Sequence, residues 1–276
     1  MKIKIGFSPC PNDTFIFDAL VNQKIDTQGI EFEPVLEDVQ TLNQFALGYQ
    51  LPLSKISYGV LPLVADQYNL LDSGGALGKG VGPLLISKKE YSQDEVDKMV
   101  VAIPGKNTSA HVLFSLAFPR AFNKKFMVFS EIEEAVLKGE VNAGVIIHEN
   151  RFTYMTKGLV KLMDLGNFWE EKTGCPIPLG GIVIDKKIDK AIQKKIGELI
   201  RESIEFAFRN YPELAPFVKE HSQEMEESVM RQHIELYVND YSLSLGESGR
   251  HAVDTFLRIY EKANGMNKPA KLSLVE

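Results

Sequence analysis

Apolar positions alternate or form short unbroken runs through the first third of the chain, and recur every third or fourth residue through the last third. The first pattern marks strands and the second marks helices. Strands are predicted over 2–7, 30–36, 53–57 and 84–88, with helices over 13–22, 38–47 and, despite Pro62, 58–65 between them. A second block opens at Ser92, a cap for the acidic turn 93–96. It continues with strands over 100–103, 126–129 and 144–147 and helices over 108–116 and 132–137. Ser130 and Glu133 are spaced as a capping box for the last of these. Residues 159–165 read as another strand, and Gly174-Cys175-Pro176-Ile177-Pro178 as a turn or crossover. From Ile182 the chain returns to a strand, then reads as helices over 188–208, 226–238 and 248–263. Alternating strands and helices point to parallel βαβ units rather than a sandwich or a bundle.

The expected layout is two α/β lobes, with the chain crossing between them near residues 90–98 and 175–183. Residues 1–97 and 181–276 would form the larger lobe, and 98–180 a smaller one inserted between them. Two crossovers make a hinge and a cleft that can enclose a ligand. A single doubly wound domain with helical additions is the alternative. At 276 residues, 44% hydrophobic and 25% charged, the chain can bury a large core of ordinary composition. Its net charge of −6 argues against nucleic acid but leaves open an anionic small ligand, which local donors can hold. No run approaches the roughly 18 apolar residues of a membrane span. The first strand opens at residue 2 with no leader pattern ahead of it, so a cytoplasmic protein without membrane partners is expected. Cys10 and Cys175 are too few for a disulfide framework and are read as reduced thiols.

Chemistry concentrates where strands end. Ser8-Pro9-Cys10-Pro11-Asn12-Asp13-Thr14-Phe15 follows the first strand, and its prolines hold the backbone extended until Asn12 or Asp13 can cap a helix. Helix starts at the carboxyl ends of strands are common anion sites. The glycine-rich 74–80 fits neither a phosphate loop nor a dinucleotide fingerprint, and His148-Glu149 lacks the second histidine of a zinc-protease helix. These glycines are read as a close backbone approach at a cleft edge or hinge. His148 follows Val145-Ile146-Ile147 and opens a polar turn, so its imidazole is placed for proton transfer; a hinge histidine satisfied by Glu149 is the alternative. His111 reads as structural, and His221, His233 and His251 as solvated. Thr108 and Ser109 can meet a carboxylate or merely cap a helix. Ser57 can hold a ligand from the other lobe. Cys10 sits beside a helix start, which can lower a thiol pKa, but with no histidine near in sequence it is not assigned as a nucleophile. Either Tyr237 or Tyr241 can reach the cleft, though Tyr237 also continues an apolar helix face.

Taken together, the Ser8–Phe15 motif, Lys55-Ile-Ser-Tyr-Gly59, Gly105-Lys-Asn-Thr-Ser109, Gly144-Val-Ile-Ile-His-Glu149 and the segment 236–246 resemble the 1,4-dihydroxy-6-naphthoate synthase family of the futalosine route to menaquinone. The resemblance spans essentially the whole chain. It implies a two-lobed, periplasmic-binding-protein-like (type II) α/β fold with a central interlobar cleft, redeployed as a cytoplasmic lyase. It implies cyclic dehypoxanthine futalosine, a small-molecule carboxylate, as substrate, with no cofactor and no metal; a homodimer is left open. Carried over by motif, the catalytic histidine falls on His148 and the ligand contacts on Asn43, Ser57, Thr108, Ile147, Glu149 and Tyr237, with Leu179-Gly180 lining the cleft. Two other readings stay open: chorismate dehydratase of the same pathway, and a non-catalytic carboxylate-binding protein. Fold alone decides between none of these.

Overall fold

The strands, in chain order, are β1 (Lys2–Phe7), β2 (Glu31–Leu36), β3 (Leu53–Ser57), β4 (Tyr68–Leu71), β5 (Ala76–Gly78), β6 (Leu84–Ser87), β7 (Val101–Ile103), β8 (Lys124–Phe126), β9 (Ala143–Ile146), β10 (Val160–Asp164), β11 (Ile177–Asp185) and β12 (Leu274–Val275). This is a computed structural model, and it describes residues 1–222, 226–266 and 273–276. Among these residues the strands form two sheets, one of seven strands in the order β12-β4-β11-β3-β1-β2 with β5 beside β11, and one of five in the order β10-β6-β9-β7-β8.

Parallel pairing holds for β1 with β2 and β3, and for β7 with β8 and β9. The expectation of purely parallel units fails elsewhere. β11 runs antiparallel to β3, β4 and β5, and β6 runs antiparallel to β9 and β10. The chain enters the second sheet through β6 and rejoins the first through β11, each running against its neighbours. The strand Leu84–Ser87, expected in the larger lobe, pairs in the five-stranded sheet, so the first crossover lies between Gly78 and Leu84 rather than near 90–98. The return runs through the helix Leu165–Thr173, absent from the sequence expectation, into β11. At the first crossover Gly82 meets Gly166 so closely that a Cβ would lie 2.2 Å from the Gly166 backbone.

Local chemistry explains most helix starts. Pro11 occupies the first turn of the helix Pro11–Val21, with Cys10 rather than Asn12 or Asp13 at the cap position. Asp38 caps Val39–Leu47 through Gln40 and Thr41, and Thr108 caps Ser109–Ala117 through the His111 amide. The anticipated Ser130–Glu133 capping box does not form. Ser130 lies in a short 3-10 turn, and the Glu133 carboxylate turns inward to Asn150 and Lys157 instead. The helix Lys190–Asn210 buries Ile196, Leu199, Ile200 and Ile204 at helical spacing against Pro11–Val21. The largest apolar cluster joins Ile56, Tyr58 and Leu77 of the first sheet region to Leu85, Val101 and Val145 of the second.

Candidate active site

The carboxyl ends of β1, β3 and β9, and the loop after β7, converge on a cavity between the sheets. From the first sheet, Ser8, Asn12, Asp13, Lys55 and Ser57 line it. Asp13 organises this wall: it accepts from the Ser8 amide (3.1 Å) and hydroxyl (2.7 Å), from Asn12 (2.9 Å), and pairs with Lys55 at 3.2 Å. The Lys55 ammonium also donates to the Gly74 carbonyl at 2.7 Å, so a nearly fully buried cation is held by an anion and a carbonyl. Asn43, entirely buried, brackets the end of β3. Its carbonyl accepts the Ser57 amide (2.9 Å), and its amide donates to the Ser57 hydroxyl (3.1 Å) and to the Asn107 carbonyl (3.2 Å).

The second sheet supplies Thr108, Ser109, Ala110, Ile147 and His148. The first turn of Ser109–Ala117 therefore faces the cavity, presenting the positive end of a helix dipole. The Thr108 hydroxyl is engaged in capping, donating to the Gly105 carbonyl (3.0 Å) and accepting the His111 amide (3.2 Å). The Ser109 hydroxyl ties the two sides together, accepting the Gly59 amide (3.2 Å) and donating to the Leu179 carbonyl (2.7 Å).

His148 leaves β9 with a left-handed φ of +57°, an uncommon state for a residue with a Cβ. The turn is fixed beyond it: Asn150 donates to Glu133 (2.6 Å), and Arg151 binds the Gly82 carbonyl and Asp164. The imidazole packs on Phe129 at 4.9 Å and on His233 at 6.0 Å between ring centroids. Burial pushes its pKa below the ordinary 6.5; Glu149, Asp13 and Asp38 oppose that shift and Lys55 adds to it. The ring is therefore neutral near pH 7 and able to accept a proton. Cys10 differs from expectation: burial pushes its thiol well above the ordinary value, outweighing any effect of the helix start. Its sulfur, a His148 nitrogen and a Glu149 oxygen lie within 4.8 Å of one another, the one grouping among the described residues spaced to share a metal ion. A protonated thiol is a poor ligand, so that donor set is weak.

A family model described as menaquinone biosynthesis matches residues 3–262. The chain belongs to this family. The 1,4-dihydroxy-6-naphthoate synthase of Thermus thermophilus is 42% identical over 268 residues, covering 97% of both chains. The enzyme of the same name from Streptomyces coelicolor is 39% identical over 256 residues, covering 91% of this chain and 90% of its own. Among solved structures, a protein of Archaeoglobus fulgidus superposes with a TM-score of 0.90 at 34% identity, covering 96% of this chain and 98% of its own. The alkanesulfonate-binding protein SsuA of Xanthomonas axonopodis pv. citri, bound to MOPS, superposes with a TM-score of 0.75 at 12% identity, covering 98% and 95%. At that identity the likeness is one of fold: a two-lobed periplasmic-binding-protein-like α/β architecture. No helix among the described residues is long and apolar enough to cross a membrane.

In this family member Ser57, Thr108, Ser109, Ile147, His148 and Tyr237 all line the cavity, with Leu179 and Gly180 beside them. Asn43 and Glu149 stand behind the lining, Asn43 holding Ser57 and Glu149 adjoining His148. Of the two tyrosines, Tyr237 faces the cavity, while the Tyr241 hydroxyl lies 3.2 Å from Ser248. Ser8 and Asp13 belong to the turn read above as a candidate anion site, but neither they nor Lys55, part of the motif Lys55–Gly59, carried a site role of their own. A lysine in the middle of the otherwise apolar and small Leu53–Ser57 strand was the available signal, because a buried ammonium demands an acidic partner. His233, expected to be solvated, is completely buried beside His148.

Proposed function

We propose that the chain is a carbon–carbon lyase that converts cyclic dehypoxanthine futalosine to 1,4-dihydroxy-6-naphthoate in menaquinone biosynthesis, with His148 as general base. The observation that carries this reading is a neutral imidazole on the wall of the interlobar cavity, beside a helix N-terminus suited to a carboxylate. The names of its relatives agree with it. Substrate carboxylate would sit at the start of Ser109–Ala117, with Ser8, Ser57 and Lys55 facing its other oxygens. His148 then removes a hydroxyl proton from the sugar-derived part. The released electron pair forms a carbonyl, the neighbouring carbon–carbon bond breaks, and its electrons enter the ring system as that becomes aromatic. A positioned base is worth roughly 10²–10⁴-fold, so orientation and exclusion of water by the two lobes supply the remainder.

The test is mass spectrometry of products after incubation with the cyclic futalosine derivative, and separately with chorismate. The dihydroxynaphthoate is expected from the first alone. His148→Ala should reduce turnover by at least about 10²-fold while substrate binding changes little. Water loss from chorismate would instead make the chain a dehydratase, and tight binding without product would make it a binding protein.

A further inference from the structure

The helix Glu227–Tyr237 sends one histidine inward. His233 is 0% exposed, and neither of its ring nitrogens has a hydrogen-bond partner among the described residues. It occupies the core-facing stripe with Met230, Ile234 and Tyr237, where leucine or phenylalanine would pack at no polar cost. Its surroundings give the imidazole a use. Its Nε2 lies 3.9 Å from Oε2 of Glu149, and that oxygen is itself buried without a partner. Its ring is stacked behind His148, with planes 25° apart, and touches Tyr237 at 4.6 Å. Two orphaned polar groups thus face each other about 1 Å beyond hydrogen-bonding distance, directly behind the imidazole on the cavity wall.

We propose that His233 is a positioning residue for the His148–Glu149 pair, its Nε2–H closing onto the Glu149 carboxylate when substrate fills the cavity. The inference rests on the reading of His148 as the base. Burial and the neighbouring His148 hold His233 well below the ordinary histidine pKa, so it stays neutral with a single N–H to give. When His148 takes the substrate proton it becomes an imidazolium beside Glu149. A donor from behind keeps that carboxylate aimed at the new charge, in a site where fixed dipoles count for more than in water. His233 touches no substrate; it acts through Glu149.

Steady-state kinetics of His233→Phe, His233→Gln and Glu149→Gln, alone and combined, test the proposal. His233→Phe keeps the ring packing but removes the donor, and should lower kcat by about 10–100-fold with KM within twofold. His233→Gln, which restores an N–H at similar reach, should recover at least tenfold of that loss. In a Glu149→Gln background, His233→Phe should cost almost nothing further, the mark of two residues acting as one unit. Thermal denaturation of His233→Phe should show no loss of stability, since an unpartnered polar ring is replaced by an apolar one. Wild-type kcat in His233→Phe, equal losses in the Phe and Gln variants, or additive losses with Glu149→Gln would each overturn the proposal. If wild type turns over and His148→Ala is silent while His233→Phe is normal, only this inference falls. If wild type makes no product, the reading of His148 falls and takes this inference with it.

Discussion

At His148 two opposing influences set when the base is available. Burial favours the neutral ring, and the carboxylates of Glu149, Asp13 and Asp38 favour the protonated one, with burial the larger. The base works only when neutral, so kcat/KM should be flat at neutral pH and fall as pH drops through a value below 6.5. Glu149 is the strongest of the opposing charges, so Glu149→Gln should move this acidic limb to still lower pH and reduce kcat, the base having become weaker. An acidic limb at or above 6.5, or one that Glu149→Gln leaves in place, would contradict this balance. The same residue shows what sequence could convey. A histidine directly after Val145-Ile146-Ile147 had to emerge at a strand's end, which is where it lies. His233 was opaque for the opposite reason. On a helix, a buried and a solvated histidine occupy the same repeating pattern, and only the tertiary neighbours Glu149, His148 and Tyr237 reveal which it is. Asp13 read as a cap because its spacing allowed one; the pull of a buried Lys55, far away in sequence, won instead.

Elements with strong local signals fall where the pattern put them: β3 over Leu53–Ser57, and the acidic turn Gln93–Val96 capped by Ser92, where Glu95 completes a capping box. Those that were missed carry weak local signals. Tyr68–Leu71 is buried at every position and so shows no alternation, and Leu165–Thr173 combines Gly166 with a run of charges. Elements also meet at places the pattern cannot mark. Gly59, just past β3, abuts the start of Ser109–Ala117, and a Cβ there would lie 2.6 Å from the Thr108 carbonyl carbon and oxygen. The neighbouring Ser109 hydroxyl binds both the Gly59 amide and the Leu179 carbonyl, so this contact registers the two walls of the cavity. Gly59→Ala should force them apart by a few tenths of an ångström or more, costing about 1–3 kcal/mol in overpacking. It should lower kcat/KM by up to about 10²-fold, because the base and the oxygen-binding groups lie on opposite sides of the displacement. Circular dichroism should show an intact fold, and kinetics indistinguishable from wild type would mean that the contact does not set the site's geometry.

At the scale of the molecule, composition was a poor guide to the site. A net charge of −6 coexists with a cavity holding a buried lysine and the positive end of a helix, because placement rather than total charge makes the local field. The two-lobed plan was legible in the order of strands, but its joint was not. The joint is a continuous apolar cluster, in which residues in and beside β3 and β5 meet those of β6, β7 and β9, with Trp169 and Phe256 packed at 5.6 Å. Each sheet also has an apolar cluster of its own, but the bridging cluster is larger than either, so the two sheets should lose their structure together rather than lobe by lobe. Trp169 is the chain's single tryptophan, fully buried, with its indole N–H on the Pro176 carbonyl at 3.1 Å, so its fluorescence reports from the joint itself. Urea unfolding followed by this fluorescence and by far-UV circular dichroism should give coincident midpoints. Phe256→Ala, which empties a fully buried ring from the same cluster, should lower stability by about 3–5 kcal/mol and move both probes equally. A circular-dichroism transition that splits in two, with only one part tracking Trp169, would show instead that each lobe's own cluster carries its stability and that the cluster between them is merely a contact surface.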